Sequence, residues 1–206
     1  MRRLLFLGFL AAQFIRADGG AMSDSERTYL IEQLEQSKRA MLASIDGVTE
    51  AQWKFKPAPN VWSVQECAEH IVLAESYIFQ GAQQVLKTPA VARPEKSNSQ
   101  VDHALVSQVQ SRSQKLTAPE PLVPARKFAT PEDAAKAFVA ARDKTIAYVN
   151  STQDDLRTHV GPGPAGPMDA YQFLLLLASH SARHTAQIRE VESNPGYPKA
   201  AAAPGL

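Results

Sequence analysis

Proline decides where this chain can be helical. Thirteen of its 14 prolines gather in five clusters: Pro57/Pro59, Pro89/Pro94, Pro119/Pro121/Pro124, Pro162/Pro164/Pro167 and Pro195/Pro198/Pro204. Inside a helix proline removes a backbone donor and clashes with the preceding turn, so each helix must fit between clusters. The remaining one, Pro131, follows Thr130 and stands at a first helical position, where its missing N–H is not needed.

The stretches between clusters carry helical patterning. Over Ser23 to Asp46, Ser23 and Glu26 have capping-box spacing, and Leu30, Ile31, Leu34, Met41, Leu42 and Ile45 share a face. Gly47 is placed to end that helix. Ser63 to Leu86 repeats the pattern, with Ser63 and Glu66 as the box and Cys67, Ile71, Ala74, Ile78 and Val85 as the stripe. Trp62 and Cys67 are spaced as a hydrophobic staple. A weaker helix is expected over Gln100 to Leu116, with Val101, Leu105, Val109 and Leu116 on one side. Thr130, Pro131 and Asp133 open the next, which carries Ala134, Phe138, Ala141, Thr145 and Val149. The last runs from Met168 to Glu192 through the apolar run Phe173 to Ala178. No alternating strand pattern and no internal repeat is visible. The expected architecture is all-α: a four-helix bundle with a short additional helix in the connection between the second and third long helices.

Composition narrows the function classes. Among 206 residues, 22 basic and 21 acidic side chains give a net charge of +1, without the cationic excess that a nucleic-acid surface needs. Cys67 is the single cysteine, which excludes an intramolecular disulfide framework and a cysteine-rich zinc module. Histidine and carboxylate must therefore supply most of the ligands of any metal.

The N-terminus is set apart from the fold. Arg2 and Arg3 precede an apolar run from Leu4 to Ile15, broken by Gly8 and Gln13, and small residues follow. This is the pattern of a secretory signal peptide, and it is too short for a comfortable membrane span. Export to the periplasm or the exterior is the first expectation. Initiation at Met22, giving a cytoplasmic protein, is the second. Residues 1–21 are read as leader, 22–192 as the helical domain, and 193–206 as a flexible Pro/Ala-rich tail. No stable membrane span is expected in the mature chain.

Five histidines can be weighed individually. His180 and His184 are four apart, so they lie one turn apart on one face of the last helix, in line with Phe173, Leu176, Leu177, Gln187, Ile188 and Val191. His70 lies beside the apolar stripe of the second helix. Inward faces of separate helices meet in a bundle, so these three imidazoles are placed to share one ion. The opposing reading makes each a hydrogen-bonded core residue, since a HxxxH pair alone is a weak signal. Adjacent inward imidazoles repel when protonated, which favours ligation.

Familiar motifs fail on particulars. Ser181 replaces the Glu that HExxH requires, and Cys67, Leu177 and Ser181 stand where a Glu-x-x-His site needs Glu. No GxSxG elbow or phosphate loop occurs. Cys67 is read as a core residue, Glu66 as a cap, and His103, His159 and Arg183 as solvated. Gln187, one turn beyond His184, is placed to orient a bound group or hydrogen-bond a ligand histidine.

The segment from Trp53 to Ile71, with Pro57, Pro59 and Trp62-Ser63 leading into the helix of His70, resembles the DinB-like (DinB/YfiT) family. His180-Ser181-Ala182-Arg183-His184-Thr185-Ala186-Gln187-Ile188 resembles that family's closing HxxxH helix. Thr185 and Ala186 depart from the Arg-Gly common there. The resemblance runs over about Ser23 to Glu192. It implies a four-helix bundle and one divalent metal on His70, His180 and His184, with zinc first and nickel, manganese or iron also compatible. It further implies a small-molecule substrate with a low-molecular-weight thiol as cosubstrate, or metal-activated water for hydrolysis. A metal-binding or stress-related module without catalysis, and a homodimer paired through an exposed helix face, complete the expectations.

Overall fold

A computed structural model describes residues 22–91 and 98–199. The expected leader, and the tail from residue 200, lie outside the described residues.

Four long helices form the bundle: α1 (Asp24–Ile45), α3 (Val64–Val85), α5 (Pro131–Ser151) and α6 (Ala170–Glu192). Ser23, Ser63 and Asp169 close capping boxes with Glu26, Glu66 and Gln172, and Thr130 accepts from the backbone N–H of Asp133. Each satisfies helix-start donors that have no partner in the helix itself. α2 (Glu50–Lys54) fills the first connection and α4 (Asn98–Gln110) the second.

The molecule departs from the expected pattern in the second connection and before the last helix. α4 ends at Gln110 rather than Leu116, and both Val101 and Leu116 are exposed. The second departure is a pair of strands: β1 (Val160–Gly163) and β2 (Gly166–Asp169) form a short antiparallel hairpin. Gly and Pro mask any alternation in it, and the positive φ of Gly166 supplies the turn. Met168 belongs to this hairpin, so α6 begins two residues later than expected.

Side-chain contacts give the helix directions. Tyr171 at the start of α6 donates to the carbonyl of Glu26 at the start of α1, making these two parallel. Arg27 reaches the carbonyls of Val149 and Thr152 at the end of α5, so α1 and α5 are antiparallel. On α3 and α6, His70 meets His180 while Gly81 meets Phe173, which is antiparallel pairing. A Cβ on Gly81 would lie 2.9 Å from the Phe173 ring, so glycine permits this close approach. The order is up, down, down, up. Because α3 and α5 point the same way, the chain must travel back along the bundle between them, and residues 86–130 do so.

Two apolar clusters fill the ends of the bundle. One gathers Leu30, Leu34, Leu174 and Leu175, and the other Met41, Trp53, Val64, Ile71, Phe138 and Ile188. Cys67 is buried in the second, and burial pushes its thiol up, away from reactive thiolate. Two closed polar networks accompany them. Arg142 of α5 makes a forked pair with Glu75 of α3 at 2.9 and 2.6 Å, and its remaining donors reach the Leu34 carbonyl and Ser37 Oγ. Arg157 contacts Glu26 at 2.9 Å, Asp102 at 2.6 Å and Asp169 at 3.1 Å, over the ring of Tyr171.

Candidate metal centre

The last helix offers His180 and His184 on one face, and α3 brings His70 against them. His70 Nε2 and His180 Nε2 are 3.1 Å apart, and one ring nitrogen from each of the three histidines falls within 4.8 Å of the others. Ring centroids lie 4.3–4.8 Å apart. Ligands held about 2.0–2.1 Å from one ion stand roughly 3–3.4 Å from each other, so the set needs only small adjustments to share one.

Second hydrogen bonds fix two of the rings. His70 Nδ1 donates to the carbonyl of Leu122 at 2.7 Å, and His184 Nδ1 donates to Gln187 Oε1 at 2.9 Å. With the proton on Nδ1 in each case, the lone pair sits on Nε2 and faces the centre. Gln187 is itself 3.5 Å from Arg112, whose guanidinium is forked onto Glu190. Gln187 thus stands directly behind His184.

All three imidazoles are held neutral. Burial lowers His70 below the ordinary histidine range, against the Leu122 hydrogen bond that works the other way. Burial together with His184 and His70 sends His180 well down, and burial together with His70 pushes His184 down to about 3. Neutral imidazole with a free lone pair is the form that binds a metal.

The connection after α4 roofs the centre, and buried side chains hold it there. Glu69 is fully buried, and its two oxygens accept the backbone N–H groups of Ala125 and Lys127 at 3.0 and 2.9 Å. Between them Arg126 has φ of 59°, a left-handed conformation costly for a side-chain-bearing residue, and its guanidinium is anchored on Glu66. The Phe128 carbonyl accepts from Trp53 and Gln65. Arg183 corrects the solvated reading: it is buried, and it binds the carbonyls of Val109, Ser111 and Gln114 at the C-terminal end of α4, where a cation is favoured. His159, also read as solvated, is half-buried and donates from Nδ1 to the Thr88 carbonyl at 2.6 Å. His103 is exposed as expected and touches Tyr29.

The histidines open onto a cleft of about 1300 Å³ between α3, α6 and residues 108–122. Trp62 stands at its edge, with ring centroids 4.8 Å from His70 and 6.0 Å from His184. The description of the DinB superfamily matches residues 33–188, a span that includes all three histidines. The chain belongs to the DinB superfamily. In this DinB chain the fold is also similar to that of YfiT from Bacillus subtilis, described as a probable metal-dependent hydrolase with an unusual four-helix bundle topology. The two share 17% identity at a TM-score of 0.58, over 86% of this chain and 92% of that one. Comparison with curated proteins gives no match.

Sequence reasoning missed the roof and its anchors. Glu69 carries no sequence signal beyond standing next to His70, and neither Leu122 nor Arg112 carries a local signal, because their roles depend on contacts across the chain.

Proposed function

We propose that this DinB protein is a metal-dependent enzyme, with one divalent ion held by Nε2 of His70, His180 and His184. The observation that carries the reading is the convergence of these nitrogens, two of them with their Nδ1 protons committed elsewhere, at the base of an open cleft. Three protein ligands beside open space is the arrangement of catalytic rather than structural zinc sites. When bound, a divalent ion there supplies Lewis acidity, lowering the pKa of a water or thiol at its open position so that a nucleophile exists at neutral pH.

The chain's own residues have distinct parts in this reading. The Leu122 carbonyl and Gln187 keep His70 and His184 in the ligating tautomer. The anchored roof and the Trp62 ring limit the approach of bulk water, while the cleft receives the substrate. Hydrolysis is the first reaction class, as the printed description of YfiT has it for that protein. Transfer of a low-molecular-weight thiol is the second: among the described residues no carboxylate hydrogen-bonds the three histidines, so a nucleophile activated without a side-chain base suits the site.

Elemental analysis of untagged protein tests the reading. One equivalent of divalent metal is expected in the wild type and none in His180→Ala, together with metal-dependent turnover of model esters or of thiol with electrophile. Metal-free wild-type protein that does not take up zinc, nickel, manganese or iron would sink it.

A further inference from the structure

The cleft beside the histidines is much larger than a small polar substrate requires, and its chemistry changes along its length. Drug-sized sites occupy roughly 300–1,000 Å³, against about 1300 Å³ here. His70 pairs with His184, and Gly81 with Phe173, eleven residues further along both helices. At about 1.5 Å per residue the floor therefore extends about 16 Å beyond the histidines. That floor is apolar, with Ile78, Phe173 and Leu176 along it. On the rim Tyr77 and Leu116 are 49% and 73% exposed, large apolar side chains in water at the mouth of a cavity. Both side chains line the cleft, so their apolar surface faces whatever enters it.

The histidine end is different. Its charged lining residues are Arg112, Lys115, Arg183 and Glu190, three cations to one anion. Arg112 is linked to His184 through Gln187, and Arg183 holds the Gln114 carbonyl next to Lys115, so the cations flank the histidines.

We propose that this cleft binds a single-chain amphiphile, an anionic head against the histidine end and an unbranched apolar chain along α3 and α6 towards Phe173. The head-group contact with an ion rests on the metal reading above; the cation excess and the apolar floor do not. An apolar chain laid along Ile78, Phe173 and Leu176 leaves water for apolar contact, whereas a hydrophilic substrate gains nothing from that floor. Each buried methylene is worth about 0.8 kcal/mol, about fourfold in affinity.

Titration calorimetry on the full chain, zinc-loaded and after chelation, tests this with dodecanoic acid, hexanoic acid and dodecyltrimethylammonium. Dodecanoate is expected to bind one per chain, at least a hundredfold more tightly than hexanoate and more tightly than the cationic amphiphile. Leu116→Asp and Tyr77→Ser, both on the exposed rim, should each weaken dodecanoate about tenfold with helix content and metal content unchanged. Equal affinity for dodecanoate and hexanoate, or for the two head groups, overturns the proposal. So does a zinc-loaded protein that binds no dodecanoate, which leaves the metal reading standing. Protein that never takes up metal yet prefers dodecanoate supports the cleft and sinks the metal reading.

Discussion

The Arg142 network and the histidine cluster are both polar groups enclosed by the bundle, yet they are built in opposite ways. Arg142 is closed: two carboxylate oxygens, a carbonyl and a hydroxyl answer its donors. The histidine cluster is open. Its Nδ1 protons on His70 and His184 are used, but the inward Nε2 lone pairs have little to face except each other. Closed networks specify packing, because every buried group is satisfied within the chain. An open one, held neutral at a cleft, leaves acceptor positions that no group of the described chain fills.

The largest effect that sharpens this contrast comes from opening the closed network. Arg142→Met leaves Glu75 charged and unpaired and should cost about 3–5 kcal/mol in urea unfolding, whereas joint replacement of Arg142 and Glu75 by apolar residues should recover most of it. Recovery that fails would mean the ion pair contributes more than satisfied burial.

Next in size is the support behind the open site. Glu69→Gln turns an acceptor of two amides into a group with one acceptor and an NH2 facing a backbone N–H. Metal affinity should fall about 10–100-fold, because Leu122 loses its position behind His70, while His70, His180 and His184 are all still present. Unchanged affinity would show that the roof does not position His70.

The smallest effect concerns pH at the Arg157 network. Burial pushes Asp169 up to about 6, despite Arg157 beside it. A carboxyl raised on folding favours the folded state while protonated, so its contribution is complete below about pH 4 and is lost as pH rises through about 6. Asp169→Asn keeps a helix-capping oxygen and removes the titration. Between about pH 4 and pH 6.5 the variant should lack a decline on the order of 2 kcal/mol that the wild type shows, and parallel pH profiles would contradict this.

Much of this molecule is legible along the chain. Proline spacing and Ser/Thr caps locate the helices because both act within four residues. The HxxxH pair is local too, and His70 could be tied to it by assuming that inward faces meet. What escaped depends on long-range geometry. Arg183 reads as a surface cation until α4 ends against it, and Asp102, Asp169 and Glu26 show no sign of sharing Arg157. The β1–β2 hairpin escaped for another reason: strands made of Val-Gly-Pro-Gly and Gly-Pro-Met-Asp have almost no side-chain alternation to read.

The helix order has a consequence for synthesis. α6 packs on α1, α3 and α4, and it is the last of the described helices to leave the ribosome. Until then α1 and α3, which stand diagonally across the bundle, share α5 but not yet α6, and His70 waits alone on a half-built surface. Domains fold as units during synthesis, so closure of the core and assembly of the three-histidine set become one late event. A nascent chain stopped short of α6 exposes apolar faces and carries His70 without His180 and His184.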